Sequence, residues 1–271
     1  MRALVLCYHS TNVNGRDYAC NDHLALRADL AAIEARGLRI LPAADAVREP
    51  DAAEPRVALT CDDGCTLDAL DFEHPAHGHQ DSFLRILREH HAAGGQCVQM
   101  ASFVIASAQA RDELDRKDFL GLRIWHDDWW PAAIASGHLS IESHSYDHNH
   151  PSLERSVQRD NRRGDFHVID NEADAQAEIA QASAAIAVRC GVRPRLFAYP
   201  WGQHNRYLAE HWLPAHGPAL GLLGAFITGA PQPARFDRWR IPRLVCGEDW
   251  RSPAEFEALL DRYLRSGDGH V

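Results

Sequence analysis

The sequence predicts an α/β fold: a parallel sheet whose strands are joined by crossover helices, either open or closed into a barrel. Three observations carry that expectation. Short apolar runs rich in Val, Ile, Leu and Phe recur along the chain, as in strands buried on both faces. Helical patterns alternate with them, which is the order of a parallel sheet. No internal repeat, low-complexity stretch or linker divides the 271 residues, a length ordinary for one α/β barrel domain.

Seven strands are expected, at Ala3–Cys7, Leu38–Leu41, Arg56–Cys61, Val98–Val104, Leu139–Glu142, Leu196–Tyr199 and Ala225–Thr228. A first helix carries Leu26, Leu30 and Ile33 on one face and stops at Gly37. Phe83, Ile86 and Leu87 open a second, which runs to Gly94-Gly95. The Ala-rich segment Glu172 to Arg189 is a third. The last has the clearest start: Ser252, Pro253 and Glu255 form a capping box with proline at the first helical position. Phe256, Leu259, Leu260, Tyr263 and Leu264 then make one apolar face, ended by Gly267.

Composition narrows the function. The chain is 45% hydrophobic and 24% charged, with a formal net charge of -10. That sign repels phosphate backbones, so nucleic acid is not an expected partner. Seven cysteines, an odd number without regular spacing, argue against a disulfide framework and for a reducing compartment. The opening MRALVLCYHS has an apolar run too short for a signal peptide, and no run approaches a membrane span. A cytoplasmic protein with no membrane partner is expected.

In parallel α/β folds the site lies where strands end in loops at their carboxyl ends. ALTCDDGCTLD (Ala58 to Asp68) puts Asp62 and Asp63 side by side at such an end. SIESHSYDHNHPSL (Ser140 to Leu153) puts His144 and His148 four apart after another strand. If the chain turns helically there, both imidazoles project to one side. Two histidines and a carboxylate are a common ligand set for a catalytic zinc with one open position. An ion would also explain why adjacent aspartates are tolerated. FAYPWGQHN (Phe197 to Asn205) follows a third strand and reads as a tight turn, which can present a backbone N–H at the mouth of a site.

These segments resemble the motifs of the NodB-homology polysaccharide deacetylases, carbohydrate esterase family four. Thr60-Cys61-Asp62-Asp63-Gly64 stands where the family has Thr-Phe-Asp-Asp-Gly. His144-Ser145-Tyr146-Asp147-His148 matches its His-Ser/Thr-x-x-His. Ala198-Tyr199-Pro200-Trp201-Gly202 matches only the Pro-x-Gly part of its Arg-x-Pro-x-Gly. The resemblance implies a single-domain, distorted (β/α) barrel of about seven parallel strands. It implies a metal-dependent deacetylase that removes acetyl groups, N-acetyl first among them, from a carbohydrate or related amine. Asp63, His144 and His148 would hold one divalent ion, zinc in most of the family. Asp62 would be the general base, and the backbone N–H of Trp201 would face the oxyanion. Tyr199, Pro200, Trp201 and Trp130 are the expected substrate contacts, Trp130 by stacking on a sugar ring.

Two departures from the pattern stand out. Ala198 replaces the family arginine that orients the base, and no Leu-x-His motif is found near the C-terminus. In WRIPRLVCGEDW (Trp239 to Trp250), Arg243 is the expected replacement for the guanidinium, in contact with Asp62, and Asp249 is expected nearby. The loop Leu70 to Ser82, with His74, His77 and His79, is expected over the site. Cys61 is expected to be a small buried hydrophobe. Two other readings remain at this level: a metal-independent cyclic-amide hydrolase on the same fold, and a non-catalytic carbohydrate-binding relative.

Overall fold

The computed structural model describes residues 3–52, 54–119, 121–229 and 236–267. In chain order the elements are β1 (Ala3–His9), α1 (Asp22–Ala35), β2 (Arg39–Ile40), α2 (Ala43–Arg48) and β3 (Arg56–Asp62). A hairpin follows, β4 (Phe72–His74) and β5 (Gly78–Gln80), then α3 (Phe83–Ala92), β6 (Met100–Val104), α4 (Ala108–Asp118), α5 (Trp130–Ala135) and β7 (Leu139–Ser143). Helix α6 (Glu172–Ala175) continues through a π-helical turn (Gln176–Ala180) into α7 (Gln181–Cys190). Strand β8 (Leu196–Ala198), α8 (Leu213–Leu220), β9 (Gly224–Thr228), β10 (Ile241–Val245) and α9 (Pro253–Gly267) complete the fold.

Parallel strands close into a barrel in the order β1-β10-β9-β8-β7-β6-β3, with β3 returning to pair with β1 along its whole length. The distorted seven-strand barrel expected from the sequence is present, with one change of membership. Strand β2 only flanks the first residues of β3, and the seventh staves position belongs to β10, which the sequence reading passed over. Pro242 hid it, because a proline removes a ladder donor and demotes a strand. Here the proline is harmless. Arg243 bonds toward β9 through Gly229 N, so Pro242 points to the β1 side, where pairing starts only at Leu6↔Leu244.

Alternation sorts the strand side chains. Val5, Ala58, Phe103, Ala198, Phe226 and Ile241 fill the barrel interior. Leu4, Leu6 and Leu59 point outward against Leu26, Leu30 and Ile33 of α1, Phe83 and Leu87 of α3, and Phe256 and Leu260 of α9. Each such side chain contributes roughly 1.5–3 kcal/mol on burial, and this outer layer holds the strand ends in place for the site above them. All seven cysteines are free, and Cys61 is fully buried. Among the described residues no helix is long and apolar enough to cross a membrane.

A buried carboxyl ties the first helix to the barrel. Asp29 of α1 accepts hydrogen bonds from the hydroxyls of Tyr8 (2.9 Å) and Tyr18 (2.5 Å) and from Trp250 Nε1 (3.1 Å). Burial pushes its carboxyl up to about 7, against about 4 in an unfolded chain. A raised folded value means stability that is full below about pH 4 and is lost as pH rises through about 7. Asp29→Asn keeps an acceptor for the hydroxyls and removes the titration. The melting temperature of the parent relative to this variant should therefore fall between about pH 5 and about pH 8. A difference that stays constant or grows over that interval would exclude Asp29 as a source of the pH dependence.

Candidate active site

The site is built at the carboxyl end of the barrel, one strand end at a time. Strand β3 ends on Asp62, and Asp63 and Gly64 then take left-handed φ values of 72° and 67°. The turn sends neighbouring carboxylates to different places. Asp62 points into the barrel at 5% exposure, and Asp63 points into the cleft above it. Gly64 is required, because a Cβ there would lie 2.4 Å from Val104 Cγ1. The Asp63 carbonyl accepts from Trp125 Nε1 at 3.1 Å, which pins the turn.

After β7, His144 donates from Nδ1 to the Ala198 carbonyl (2.9 Å), since a carbonyl can only accept. That fixes the tautomer and leaves Nε2 with its lone pair toward the cleft. The chain does not turn helically there. Ser145, His148 and Asn149 have positive φ values of 70°, 66° and 45°, and Ser145 Oγ accepts from His148 N (2.9 Å). This tight loop, not a helix face, brings the two imidazoles together. Burial, with His144 beside it, pushes His148 well below its ordinary value, so it is neutral, the form that ligates a metal.

Asp63 Oδ1 lies 3.8 Å from both His144 Nε2 and His148 Nε2. Ligands about 2.0–2.2 Å from a tetrahedral zinc lie roughly 3.3–3.6 Å from one another. The donor set and its spacing fit a divalent ion with a slight tightening.

The replacement for the missing arginine comes from β10, which lies on the other side of β1 from β3. Arg243, fully buried, forks onto Asp62 with Nη1–Oδ1 at 2.6 Å and Nη2–Oδ2 at 2.7 Å. Its guanidinium lies over the rings of Phe103 and Phe226, and Nη1 also donates to Thr60 Oγ1. Burial by itself would push the Asp62 carboxyl up. The Arg243 guanidinium and then His144 outweigh it and hold the group well below the usual carboxylate range. Asp62 Oδ2 lies 3.7 Å from His144 Nε2, so an ionised carboxylate borders the triangle of Asp63, His144 and His148.

His9 completes the rim. It ends β1, in register with Asp62 of β3, and its backbone N–H donates to Asp22 (2.7 Å). A ring nitrogen of His9 lies within 4.8 Å of an Asp62 oxygen. Together with Trp201, these side chains surround a cleft of about 210 Å³, with Ile105, Trp125 and Val245 as apolar walls. A larger concavity, about 400 Å³, lies at the opposite end of the strands. Its Arg56 is already paired with Glu49 at 2.9 Å, and no ligand set converges there among the described residues.

The polysaccharide deacetylase family matches residues 49–212, more than half of the chain. The chain belongs to that family. Among solved structures, IcaB from Ammonifex degensii is similar at 17% identity over 94% of this chain and 95% of that chain, with a TM-score of 0.62. A de-N-acetylase from Aggregatibacter actinomycetemcomitans follows at 15% identity, 94% and 99% coverage and a TM-score of 0.59. The Streptococcus pyogenes deacetylase PplD in complex with acetate has 15% identity, 96% coverage of each chain and the same TM-score. At these identities the likeness establishes the shared barrel. Comparison with curated proteins gives no match.

For this member of the family the structure corrects several sequence expectations. Trp130 is 1% exposed, packed edge-on against Trp129 and beneath Arg111, so no sugar can stack on it. Tyr199 is fully buried and donates its hydroxyl to the Trp239 carbonyl, and Pro200 is buried beside it. Both shape the turn and leave only Trp201, 39% exposed and packed on His148, to face a substrate. The histidine-rich loop folds as the β4–β5 hairpin, and His74, His77 and His79 are not among the cleft residues. Asp249 caps the chain by accepting from Val245 N, and Glu248 lines the cleft instead. The residue that sequence reasoning missed is His9. The signal was available: a histidine at the carboxyl end of a strand, the same criterion that singled out Asp62 and His144.

Proposed function

We propose that the protein is a zinc-dependent hydrolase that removes N-acetyl groups from a carbohydrate or related amine. The observation that carries this reading is the Arg243-clamped Asp62 carboxylate beside the triangle of Asp63, His144 and His148. Those three residues would hold the ion. Bound there, it would supply Lewis acidity, acidifying a water from a pKa of 15.7 toward about 7 and polarising the acyl carbonyl.

The chain's own groups divide the remaining work. Asp62 takes a proton through Oδ2 as the water oxygen bonds to the carbonyl carbon. Arg243 keeps that carboxylate from swinging toward the histidines, because its fork engages both oxygens. The Trp201 backbone N–H faces the developing oxyanion. His9, on the strand next to Asp62, donates a proton to the departing nitrogen as the C–N bond breaks. Water and the acetamide thus become acetate and a free amine. Trp201 offers its exposed ring to a sugar face. The reading of a non-catalytic relative rested on a missing arginine and a missing late histidine. The fork of Arg243 on Asp62, and a histidine, His9, within 4.8 Å of the same carboxylate, support turnover. A complete ligand triangle argues against the metal-independent reading.

The test is acetate release from a panel of N- and O-acetylated sugars, with elemental analysis of the same protein. Release from an N-acetylated sugar should stop on chelation and return with zinc. Release that ignores chelation, or none from fully metal-loaded protein, would overturn the proposal. The role of His9 has its own signature. His9→Gln should lower turnover of an acetamide by about 10²–10⁴-fold, the usual worth of proton transfer. It should barely affect an aryl acetate, whose leaving group departs without a proton. Equal losses on both substrates would remove His9 as the acid.

A further inference from the structure

The loop joining His144 to His148 is in a conformation that it does not favour by itself. Left-handed backbone at Ser145, His148 and Asn149 costs of order 1–3 kcal/mol per non-glycine residue and persists only where the surroundings impose it. Some of the restraint is local: Ser145 Oγ holds His148 N, and Asp147 Oδ1 holds Asn149 N at 2.8 Å. Backbone groups elsewhere add to it: the Ser145 and Tyr146 carbonyls accept from Ala106 N (3.1 Å) and Ser107 N (2.7 Å), and the Asn149 side chain donates to the Arg162 and Asp165 carbonyls. One side chain distant in sequence reaches the middle of the loop. Glu178 is fully buried, and its Oε2 accepts from Tyr146 N (3.2 Å) and Asp147 N (3.4 Å), the two amides midway between the histidines.

Glu178 lies in the π-helical turn between α6 and α7. Such a turn carries one residue more than an α-helical turn, at the expense of regular hydrogen bonding. It rotates the side chains on either side relative to each other, so it decides where Glu178 points. The second carboxyl oxygen, Oε1, is buried and finds no hydrogen-bond partner of good geometry among the described residues. A buried polar atom left so is costly, and none of the proposed chemical steps uses it. Two unfavourable features, the irregular helix and the buried carboxyl, meet at the same pair of amides.

We propose that Glu178 is a positioning residue: it sets the spacing of His144 and His148 by holding the Tyr146 and Asp147 amides, and the π-helical turn delivers it to that place. The inference rests on the reading of the two histidines as metal ligands. Groups of this kind typically change metal affinity by about 10–100-fold when removed.

The full chain is tested as the parent, Glu178→Ala, Glu178→Gln and Glu178→Asp. Zinc affinity is read by competition with a chromophoric chelator, and ligand geometry from the visible spectrum of the cobalt(II)-loaded protein. Glu178→Ala should bind zinc about 10–100-fold more weakly with an altered cobalt spectrum. Glu178→Gln, which keeps an acceptor oxygen at the same reach, should restore both. If Glu178→Ala does not fold, Glu178→Asp carries the test, since its carboxyl stops one methylene short of the amides and should also bind zinc more weakly. A folded Ala or Asp variant with parental affinity and spectrum, even with a lower melting temperature, would overturn the positioning role. A parent that binds no zinc would overturn the metal reading and this inference with it, an outcome distinct from the previous one.

Discussion

Asp62→Asn should retain a full complement of metal and lose about 10²–10⁴ in deacetylation rate, the range that proton transfer supplies. Asn keeps the shape of the side chain and an acceptor for Arg243, but it cannot take a proton from water. Asp63→Asn should do the reverse and weaken metal binding, because Asp63 Oδ1 is one corner of the ligand triangle. His144→Ala with His148→Ala removes the other two corners and should leave the metal content near zero in a folded barrel, whose interior is filled by apolar side chains. Elemental analysis and turnover on the same preparations separate the roles. Full occupancy in the double histidine variant, or the same metal loss and the same kinetics for both aspartate variants, would contradict the assignment.

Arg243→Met should be the most destabilising change near the site. It leaves the 5%-exposed Asp62 carboxylate in the barrel without its partner. Breaking a buried pair by removing one member typically costs about 3–5 kcal/mol, whereas replacing both members is often nearly neutral. Arg243→Met combined with Asp62→Asn should therefore recover much of the loss, and urea unfolding of the parent, both single variants and the double variant measures the coupling. Additive losses would mean that the pair is not a unit. Arg243→Lys supplies the kinetic counterpart. A lysine keeps the charge but not the two-point fork, so turnover should fall while metal content stays full. Parental turnover in that variant would mean that Asp62 needs no clamp.

The strand ends were legible because burial on both faces writes continuous apolar runs, and because chemistry-bearing residues stand out where those runs stop. Asp62, Asp63, His144 and His148 were readable in that way. Strand β10 was not, since a proline is tolerated only where the facing ladder has an open position, and the register that opens it is set by the neighbouring strand β1. The helical turn expected between His144 and His148 failed for a related reason. Four-residue spacing suits a helix face, but a loop with three left-handed residues satisfies it equally, and contacts from elsewhere in the fold help to stabilise that loop. Trp130, Tyr199 and Pro200 were misplaced because aromatic and turn residues look the same in sequence whether they face a cleft or a core.

What the sequence determined by itself is the parallel α/β class and the order of its motifs along the chain, since both follow from local periodicity and from residues adjacent in the chain. What only the tertiary structure decided is which groups meet at the carboxyl end of the barrel. Arg243 lies 181 residues from Asp62 in the chain, and the fork between them depends on closure of the sheet, which puts β10 and β3 on either side of β1 with both side chains directed inward. His9 reaches the same carboxylate because β1 pairs with β3 in a register that sets His9 opposite Asp62. Glu178 reaches the histidine loop through one irregular turn of helix. Closure of the sheet brings strand ends that are far apart in sequence around one small cleft, and that closure is a property of all the strands together.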